Sequence, residues 1–425
     1  MTDQTLHYSS AAEIEAFVAE RIAETRQKTV GGTAAAPQRL PLFVLDLDGN
    51  SVVGYSVCEG KHIPDDYPIS RNRQVPRAGI VDGGKQTIPY DADITALQEQ
   101  GVIAPSLFAS HTMDVRLPQN LAHLLRACQT QNRPFEVTIL TSRGMEDTKK
   151  ILHASGIDDV KHLTFVADSG ATAYVNGIFC SVHKTTQEEI DFIAGLHTMQ
   201  AQLDTIVHGV VGKTQINVWI EAKTAGLAAN VHYRAVLDEL GLAGKERARK
   251  DSLLRKAIAN MLDVYIQQHS PKHNGKAYYS MLNGPETIEL KHPAVNKGRG
   301  LRYLVQHALA TKTPPSCIIY AGDDVTFTDQ NSGITTAGTD YDAFLHGYGI
   351  EEETGIPFYT IHTLHPASKH LFDATVDAKE AGIIADASRI IAPISGSDDA
   401  HVHATIITAS PLRTIGMVQN IITNI

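Results

Sequence analysis

The octapeptide FVLDLDGN, residues 43–50, decides how the rest of the chain is read. Leu42 to Leu45 are four large apolar residues with nothing polar among them, which predicts a strand buried in a parallel sheet. Two carboxylates, Asp46 and Asp48, follow at i and i+2 where that run ends. Charges are costly to bury unless they are paired or bound to a metal. Two acids at the carboxyl end of a core strand therefore point to a magnesium and phosphate site. A surface turn and a calcium loop are the competing readings. An EF-hand loop would place glycine sixth and glutamate twelfth, after a helix. Here Gly49 is fourth, Ser51 is sixth and a strand-like run comes before, so calcium is disfavoured.

With 425 residues, 43% of them hydrophobic and 20% charged, the chain has ample material for a core and for two or three domains. Its 37 Lys and Arg against 47 Asp and Glu give a net charge of −10, so the electrostatic footprint of a nucleic-acid binder is missing. Cys58, Cys128, Cys180 and Cys317 are widely spaced and form no C-x-x-C pair, which argues against a disulfide framework or a structural zinc site. The start, MTDQTLHYSS, lacks a basic segment followed by an apolar one. No stretch approaches the roughly 18 apolar residues of a membrane span. The expectation is a cytoplasmic protein with a small-molecule ligand and neither nucleic acid nor membrane as partner. A homo-oligomer is compatible with everything in the sequence.

Residues 10–28 have helical spacing, with Ile14, Phe17, Val18 and Ile22 on one face. The stretch GGTAAAPQ, 31–38, then reads as a linker. Residues 50–115 are rich in Gly, Pro and charge and too long for an ordinary connection, so they read as an elaborated insertion. Further strand signals are FEVTIL (135–140), ending at Thr141–Ser142–Arg143, LTFVA (163–167), ending at Asp168–Ser169–Gly170, and SCIIYAG (316–322), ending at Asp323–Asp324. Helical stretches separate several of them, which predicts an alternating α/β core with a parallel sheet and polar residues just past the strand ends. The block 180–285 has helical runs near 186–207 and 250–268, strands INVWIE and LAANVHYR, and more strands near 277–290. It reads as an inserted α+β domain.

Four strand-end signals follow in order: DLDG (46–49), Thr141, Lys297 in HPAVNKG, and GDD (322–324). This set and order resemble the haloacid dehalogenase superfamily of phosphohydrolases. The resemblance implies a Rossmann-like haloacid dehalogenase core over 41–179 and 286–425, with insertions near 50–115 and 326–338. The inserted cap would span 180–285, and an N-terminal helix and linker 1–40. It implies Asp46 as nucleophile, Asp48 as general acid and base, and Thr141 and Lys297 as phosphoryl-binding groups. Asp323 would complete a Mg²⁺ site with Asp46 and Asp48, supported by Asp324 and Asp340.

The inserted block narrows the family. WIEAKTAGLAANVHYR (219–234), TIELKHPAVNKG (287–298) and TDYDAF (339–344) resemble segments of trehalose-6-phosphate phosphatases. That likeness implies a cap that contacts a disaccharide through Glu221, Lys223 and Glu289, with Arg143 and Arg234 as further substrate contacts. His232 and Arg234 could equally brace the cap. Three departures stand out: Asn50 where the family has Thr, a separation of 93 residues from Asp48 to Thr141, and VTFTDQNSGITTAG between GDD and TDYDAF. The last leaves Asp329 and Asp340 competing for one acidic position. A comparable expansion is familiar from glucosylglycerol-phosphate phosphatases, so another osmolyte phosphate is the alternative substrate. A non-catalytic regulator that binds sugar phosphate is a third reading. GVVGKT (209–214) has Val207 where a nucleotide-binding loop needs its first glycine and reads as a turn. The pair His401 and His403, and Arg71, Arg73 and Arg77, read as structural or solvated.

Overall fold

The computed structural model describes residues 39–47, 119–127, 135–157 (without 155), 163–183 (without 176–177), 186–212, 219–222, 228–232, 237, 242, 244–283, 287–311, 314–328 and 335–363. It also describes the short strand segments 72–73, 79–81, 84–86, 112–113, 383–384 and 406–408, and a few single residues near the C-terminus. The expected helix at 10–28, the linker after it, and His401 and His403 lie outside these residues.

In chain order the elements are β1 (Leu42–Leu45), α1 (Gln119–Ala127), β2 (Glu136–Leu140), α2 (Met145–Ala154), β3 (Thr164–Ala167), β4 (Thr172–Val175) and β5 (Ile178–Ser181). There follow α3 (Gln187–Leu196), α4 (Gln200–Val211), β6 (Trp219–Ala222), β7 (Ala228–His232), α5 (Gly244–His269), β8 (Ser280–Asn283) and β9 (Thr287–Lys291). The last group is α6 (Lys297–Thr311), β10 (Ile318–Gly322), β11 (Thr326–Thr328), β12 (Thr335–Ala337), α7 (Tyr341–Thr354), β13 (Phe358–Thr363), β14 (Ile383–Ile384) and β15 (Ile406–Thr408).

Nine strands form one sheet in the order β14-β15-β13-β10-β1-β2-β3-β4-β5. The run from β15 to β3 is parallel, and antiparallel strands flank it at both ends. β1 is central, and its four residues are all buried because helices cover both faces. Alternation splits them. Phe43 and Leu45 join a cluster with Leu121, Val137, Ile139, Phe165 and Ile319, whereas Leu42 and Val44 join one with Leu301, Leu304, Tyr320, Tyr341 and Phe344. Each such side chain contributes about 1.5–3 kcal/mol on burial, so an apolar run of this kind fixes the strand's place in the sheet.

Register then sets the strand ends level. Leu45 lies beside Ala321 on one side and Ile139 on the other, and the Asp46 amide donates to the Ala321 carbonyl at 2.8 Å. Asp46, Thr141 and Asp323 therefore emerge at one edge of the sheet.

A second, antiparallel sheet has the order β6-β7-β9-β8 and its own core, in which Ile220, Val231, Ile288 and Leu290 pack with α3, α4 and α5. Two boundaries move relative to the expectation. β5 still pairs in the large sheet, so the chain leaves it after Ser181 rather than at 180, and β9 pairs with β7 and β8, so it returns after Lys291 rather than at 286. The alternating TIELK is a strand with one face on the second core. The GVVG of 209–212 is not a free turn: it ends α4, with Gly212 at φ +76° and its N–H on the His208 carbonyl at 2.8 Å. Among the described residues no helix is long and apolar enough to cross a membrane.

Candidate active site

Asp46 continues β1 at the edge of the large sheet and is 3% exposed. Lys297 meets it from α6, whose first residue it is. Asn296 caps that helix, its Oδ1 accepting the Arg299 N–H at 2.8 Å. The Lys297 Nζ lies 2.7 Å from Asp46 Oδ1 and 2.6 Å from Asp340 Oδ1, and the lysine is 1% exposed. Burial alone would lower its pKa, but the carboxylates of Asp340 and Asp46 outweigh burial and hold it well above the ordinary lysine range. Lys297 stays charged.

Asp340 immediately precedes α7 yet makes no side-chain cap to that helix. Its carboxylate turns inward instead. Oδ1 accepts from Lys297 and from the Tyr320 hydroxyl, the latter at 2.5 Å. Oδ2 accepts the backbone N–H groups of Asp323 and Asp324 at 3.0 and 3.1 Å. Four donors on one carboxylate make Asp340 the organiser of the site. Of the two residues competing for the last acidic position, Asp340 is the one in the cluster, while Asp329 lies outside the described residues.

The long segment between GDD and Asp340 costs nothing in position, because β11 and β12 pair as a hairpin. At its base the Gly338 N–H donates to the Val325 carbonyl and the Asp340 N–H to the Asp324 carbonyl, at 2.9 and 2.8 Å. The Asp324 carboxylate accepts the Thr339 N–H at 2.9 Å. The chain thus returns to the point it left. Gly322 is required by the same closeness, since a Cβ there would sit 2.5 Å from the Asp340 carboxyl carbon.

Asp323 is 9% exposed, and its Oδ1 is buried with no hydrogen-bond partner among the described residues. Burial, and then the neighbouring charges of Asp46, Asp340 and Asp324, push its pKa well above the usual carboxylate range. One oxygen each of Asp46, Asp323 and Asp340 lies within 4.8 Å of the others. Several carboxylates face a single ammonium here, and an unpartnered oxygen points among them. A hard divalent cation fits that donor set. With Asp340 already taken by four donors, Asp46 and Asp323 are the ligands the described residues offer.

Thr141 follows β2 and is fully buried. Its Oγ1 accepts the Arg143 N–H at 3.1 Å, and its carbonyl accepts the Ser169 N–H at 3.1 Å. Ser169 belongs to an elbow after β3 in which Asp168 and Ser169 both have positive φ, 52° and 56°. Non-glycine residues rarely adopt this conformation, and it recurs at functional turns. Gly170 completes the elbow at φ +99°, where a Cβ would come within 2.2 Å of the Asn296 carbonyl oxygen. The elbow thus seats the start of α6, and with it Lys297, against the Thr141 loop.

Glu289 is 5% exposed, with Oε1 3.4 Å from the Ser169 hydroxyl and Oε2 3.8 Å from the buried Lys291 ammonium. It reaches from the second sheet to the elbow. Glu221 and His232 occupy β6 and β7, but their side chains lie outside what is described, as do Asp48, Lys223, Arg234, Arg71 and Arg77. Arg73 is placed only as a strand residue. Tyr320 is not among the residues expected from the sequence. A lone tyrosine in an otherwise aliphatic core strand, two residues before the glycine of GDD, was the available signal.

No protein-family model matches the chain, and no curated protein does. Solved structures do resemble it. The C-terminal domain of a Candida albicans trehalose-6-phosphate phosphatase is 13% identical, with 96% of each chain covered and a TM-score of 0.49. A trehalose-6-phosphate phosphatase related protein is 17% identical over 90% of this chain and 97% of its own, with a TM-score of 0.41. A Synechocystis sucrose-phosphatase solved with sucrose and phosphate is 12% identical over 80% and 90%, with a TM-score of 0.32. The chemistry of the site rests on its own residues.

Proposed function

We propose that this chain is a Mg²⁺-dependent phosphomonoester hydrolase acting on a sugar phosphate, trehalose 6-phosphate first, through an aspartyl-phosphate on Asp46. The observation that carries this is the contact of Lys297 with both Asp46 and Asp340 at 2.7 and 2.6 Å, beside the Asp323 Oδ1, which has no hydrogen-bond partner among the described residues. A carboxylate held in place by a buried ammonium is oriented for attack, and the same ammonium can neutralise charge on the transferring phosphoryl group.

In the first step an Asp46 oxygen bonds to phosphorus as the bond from phosphorus to the sugar oxygen breaks, and Asp48 gives that oxygen its proton. In the second, Asp48 takes a proton from water, the water oxygen bonds to phosphorus, and Asp46 is released with inorganic phosphate. Thr141 and Arg143 contact the phosphoryl oxygens. A Mg²⁺ ion held by Asp46, Asp323 and the Asp48 backbone would supply charge neutralisation when bound.

For the sugar, the resemblance read from the sequence assigns Glu221, Lys223, Glu289 and Arg234. The burial of Glu289 beside Ser169, next to the Thr141 loop, supports a substrate that spans both sheets. Glucosylglycerol phosphate is the second reading, favoured by the hairpin of 326–337 beside the acid cluster.

The test is phosphate release from trehalose 6-phosphate, glucosylglycerol phosphate, sucrose phosphate and glucose 6-phosphate, with and without Mg²⁺. The expected order puts trehalose 6-phosphate first in kcat/KM. A value no better than that for glucose 6-phosphate overturns the disaccharide assignment. No turnover of any of the four, with ligand binding unchanged in Asp46→Asn, overturns the enzyme.

A further inference from the structure

A second buried cluster lies where the chain passes between the two sheets. His183 stands on the outgoing connection just after β5, and His292 on the return connection just after β9. Glu189, in the first turn of α3, sits between them. Its Oε1 is 2.7 Å from His292 Nε2 and 3.5 Å from His183 Nε2, and the ring centroids are 4.5 Å apart. One ligand atom from each residue lies within 4.8 Å of the other two. The other oxygen of Glu189 is fixed separately: Oε2 accepts the Thr186 N–H at 2.7 Å while Thr186 Oγ1 accepts the Glu189 N–H at 3.3 Å. This reciprocal cap aims Oε1 at the two rings.

The polar atoms here are close but not satisfied. The His292 side chain is 0% exposed, and that of Glu189 only 7%. Yet among the described residues neither His292 Nε2 nor His183 Nε2 makes a directed hydrogen bond, and the hydroxyl of the buried Tyr279, which packs edge-on against the His292 ring, makes none either. A 2.7 Å approach without alignment is a poor hydrogen bond. Ligands in a tetrahedral zinc shell, each roughly 2 Å from the ion, stand about 3.3 Å apart. The separations of 2.7 and 3.5 Å bracket that value.

We propose that His183, Glu189 and His292 form a binding site for a divalent transition-metal ion, zinc in type, that clasps the two connections between the sheets. Two imidazole nitrogens and one carboxylate oxygen suit zinc far better than magnesium. The proton balance is simple. The Ala294 N–H donates to His292 Nδ1 at 3.0 Å, so the neutral, metal-free ring carries its proton on Nε2. Ligation through Nε2 moves that proton to Nδ1 and displaces the Ala294 amide, which is only half-buried and can turn to water. One such hydrogen bond is small beside a set of metal–ligand bonds. The site also has a mechanical setting. Val182 donates to the Ala171 carbonyl at 2.9 Å, and Ala171 packs against Val295, so both connections already meet beside the Asp168–Gly170 elbow.

The test uses the full chain, stripped with a chelator, saturated with Mg²⁺ to fill the acidic site, and titrated with zinc alone. Wild type is expected to retain one zinc per chain, to show a raised Tm, and to give the visible bands of four-coordinate cobalt when Co²⁺ replaces zinc. His183→Ala and Glu189→Gln are expected to weaken retention about tenfold or more. His183 is 20% exposed on its side chain, so its variant keeps the test readable if changes at the buried positions impair folding. Equal zinc retention by wild type and His183→Ala, or displacement of the zinc by Mg²⁺, overturns the proposal. Phosphate release is not the readout, so the outcome is separate from that for the proposed hydrolase.

Discussion

The two buried clusters of titratable groups differ in what builds them and in what they can hold. At the edge of the large sheet, Asp46 and Asp340 flank one ammonium with Asp323 and Asp324 close by. Parallel-strand register places Asp46 and Asp323, the start of α6 places Lys297, and hairpin closure places Asp340. At the junction, one carboxylate stands between two imidazoles, placed by a helix cap and by the two connections. The first is a cluster of hard oxygens with excess negative charge. In the second, two of the three donors are imidazole nitrogens, which suit zinc. Strand ends supply convergence, because neighbouring strands stop at one level. Connections supply a clasp, because they are where two separately packed bodies are tied.

Each side of this contrast can be broken by substitution. The largest effect is expected for Asp46→Asn, which removes the attacking carboxylate: turnover should fall by about four orders of magnitude or more, read by single-turnover phosphate release. A fall of less than tenfold would mean that the strand-end cluster is not where chemistry occurs.

Asp340→Asn comes next. An amide cannot accept from Lys297 and Tyr320 on one side and from two backbone N–H groups on the other, since its nitrogen is a donor. Leaving the buried lysine under-compensated should cost about 3 kcal/mol in urea denaturation, and turnover should fall roughly a hundredfold.

Mg²⁺ affinity sharpens the contrast. Burial and its acidic neighbours push the Asp323 pKa well above the ordinary carboxylate range, so wherever the pH lies below that raised pKa cation binding must expel a proton. Apparent Mg²⁺ affinity should therefore strengthen by up to about tenfold per pH unit until Asp323 is ionised, then level off. Calorimetric titration across pH measures this, and Asp323→Asn should flatten the slope. The sign for stability is opposite: as pH rises through that window, the ion-free native state increasingly carries an unfavourable buried charge and loses stability. Added Mg²⁺ should reverse the loss.

The smallest of these effects is expected for Tyr320→Phe. It removes one buried hydrogen bond to a charged oxygen, about 1.5–3 kcal/mol of stability, and should lower kcat about tenfold while KM holds, if orientation of Asp340 is what it supplies. An equal rise in KM would instead place Tyr320 in substrate binding.

Much of the large sheet was legible because its central strands are uninterrupted apolar runs, which in a parallel sheet covered on both faces have one place to go. Asp46, Thr141 and Asp323 could be found for the same reason: polar residues after such runs must lie at strand ends. Lys297 opens α6 instead, and only the HPAVNKG motif marked it. What brings them together was less visible. Asp340 is separated from Asp323 by a hairpin whose closure depends on backbone pairing, so its contact with Lys297 could be expected only as a supporting role. Tyr320 reads as one more core aromatic. β9 alternates and leads straight into the return connection, which hid the point at which the chain leaves the second sheet. The junction cluster draws single residues from the connection after β5, from α3 and from the connection after β9, which no spacing rule links.

The hairpin of 326–337 has a consequence for how this molecule can vary. Its two ends are stitched across Asp324, Val325, Gly338 and Asp340 by backbone bonds, so the span between them is mechanically decoupled from the carboxylates below. Closing a longer or shorter loop between fixed ends changes free energy only slowly with length. The position behaves as an insertion port: residues can be gained, lost or exchanged there while the acids at its base keep their spacing.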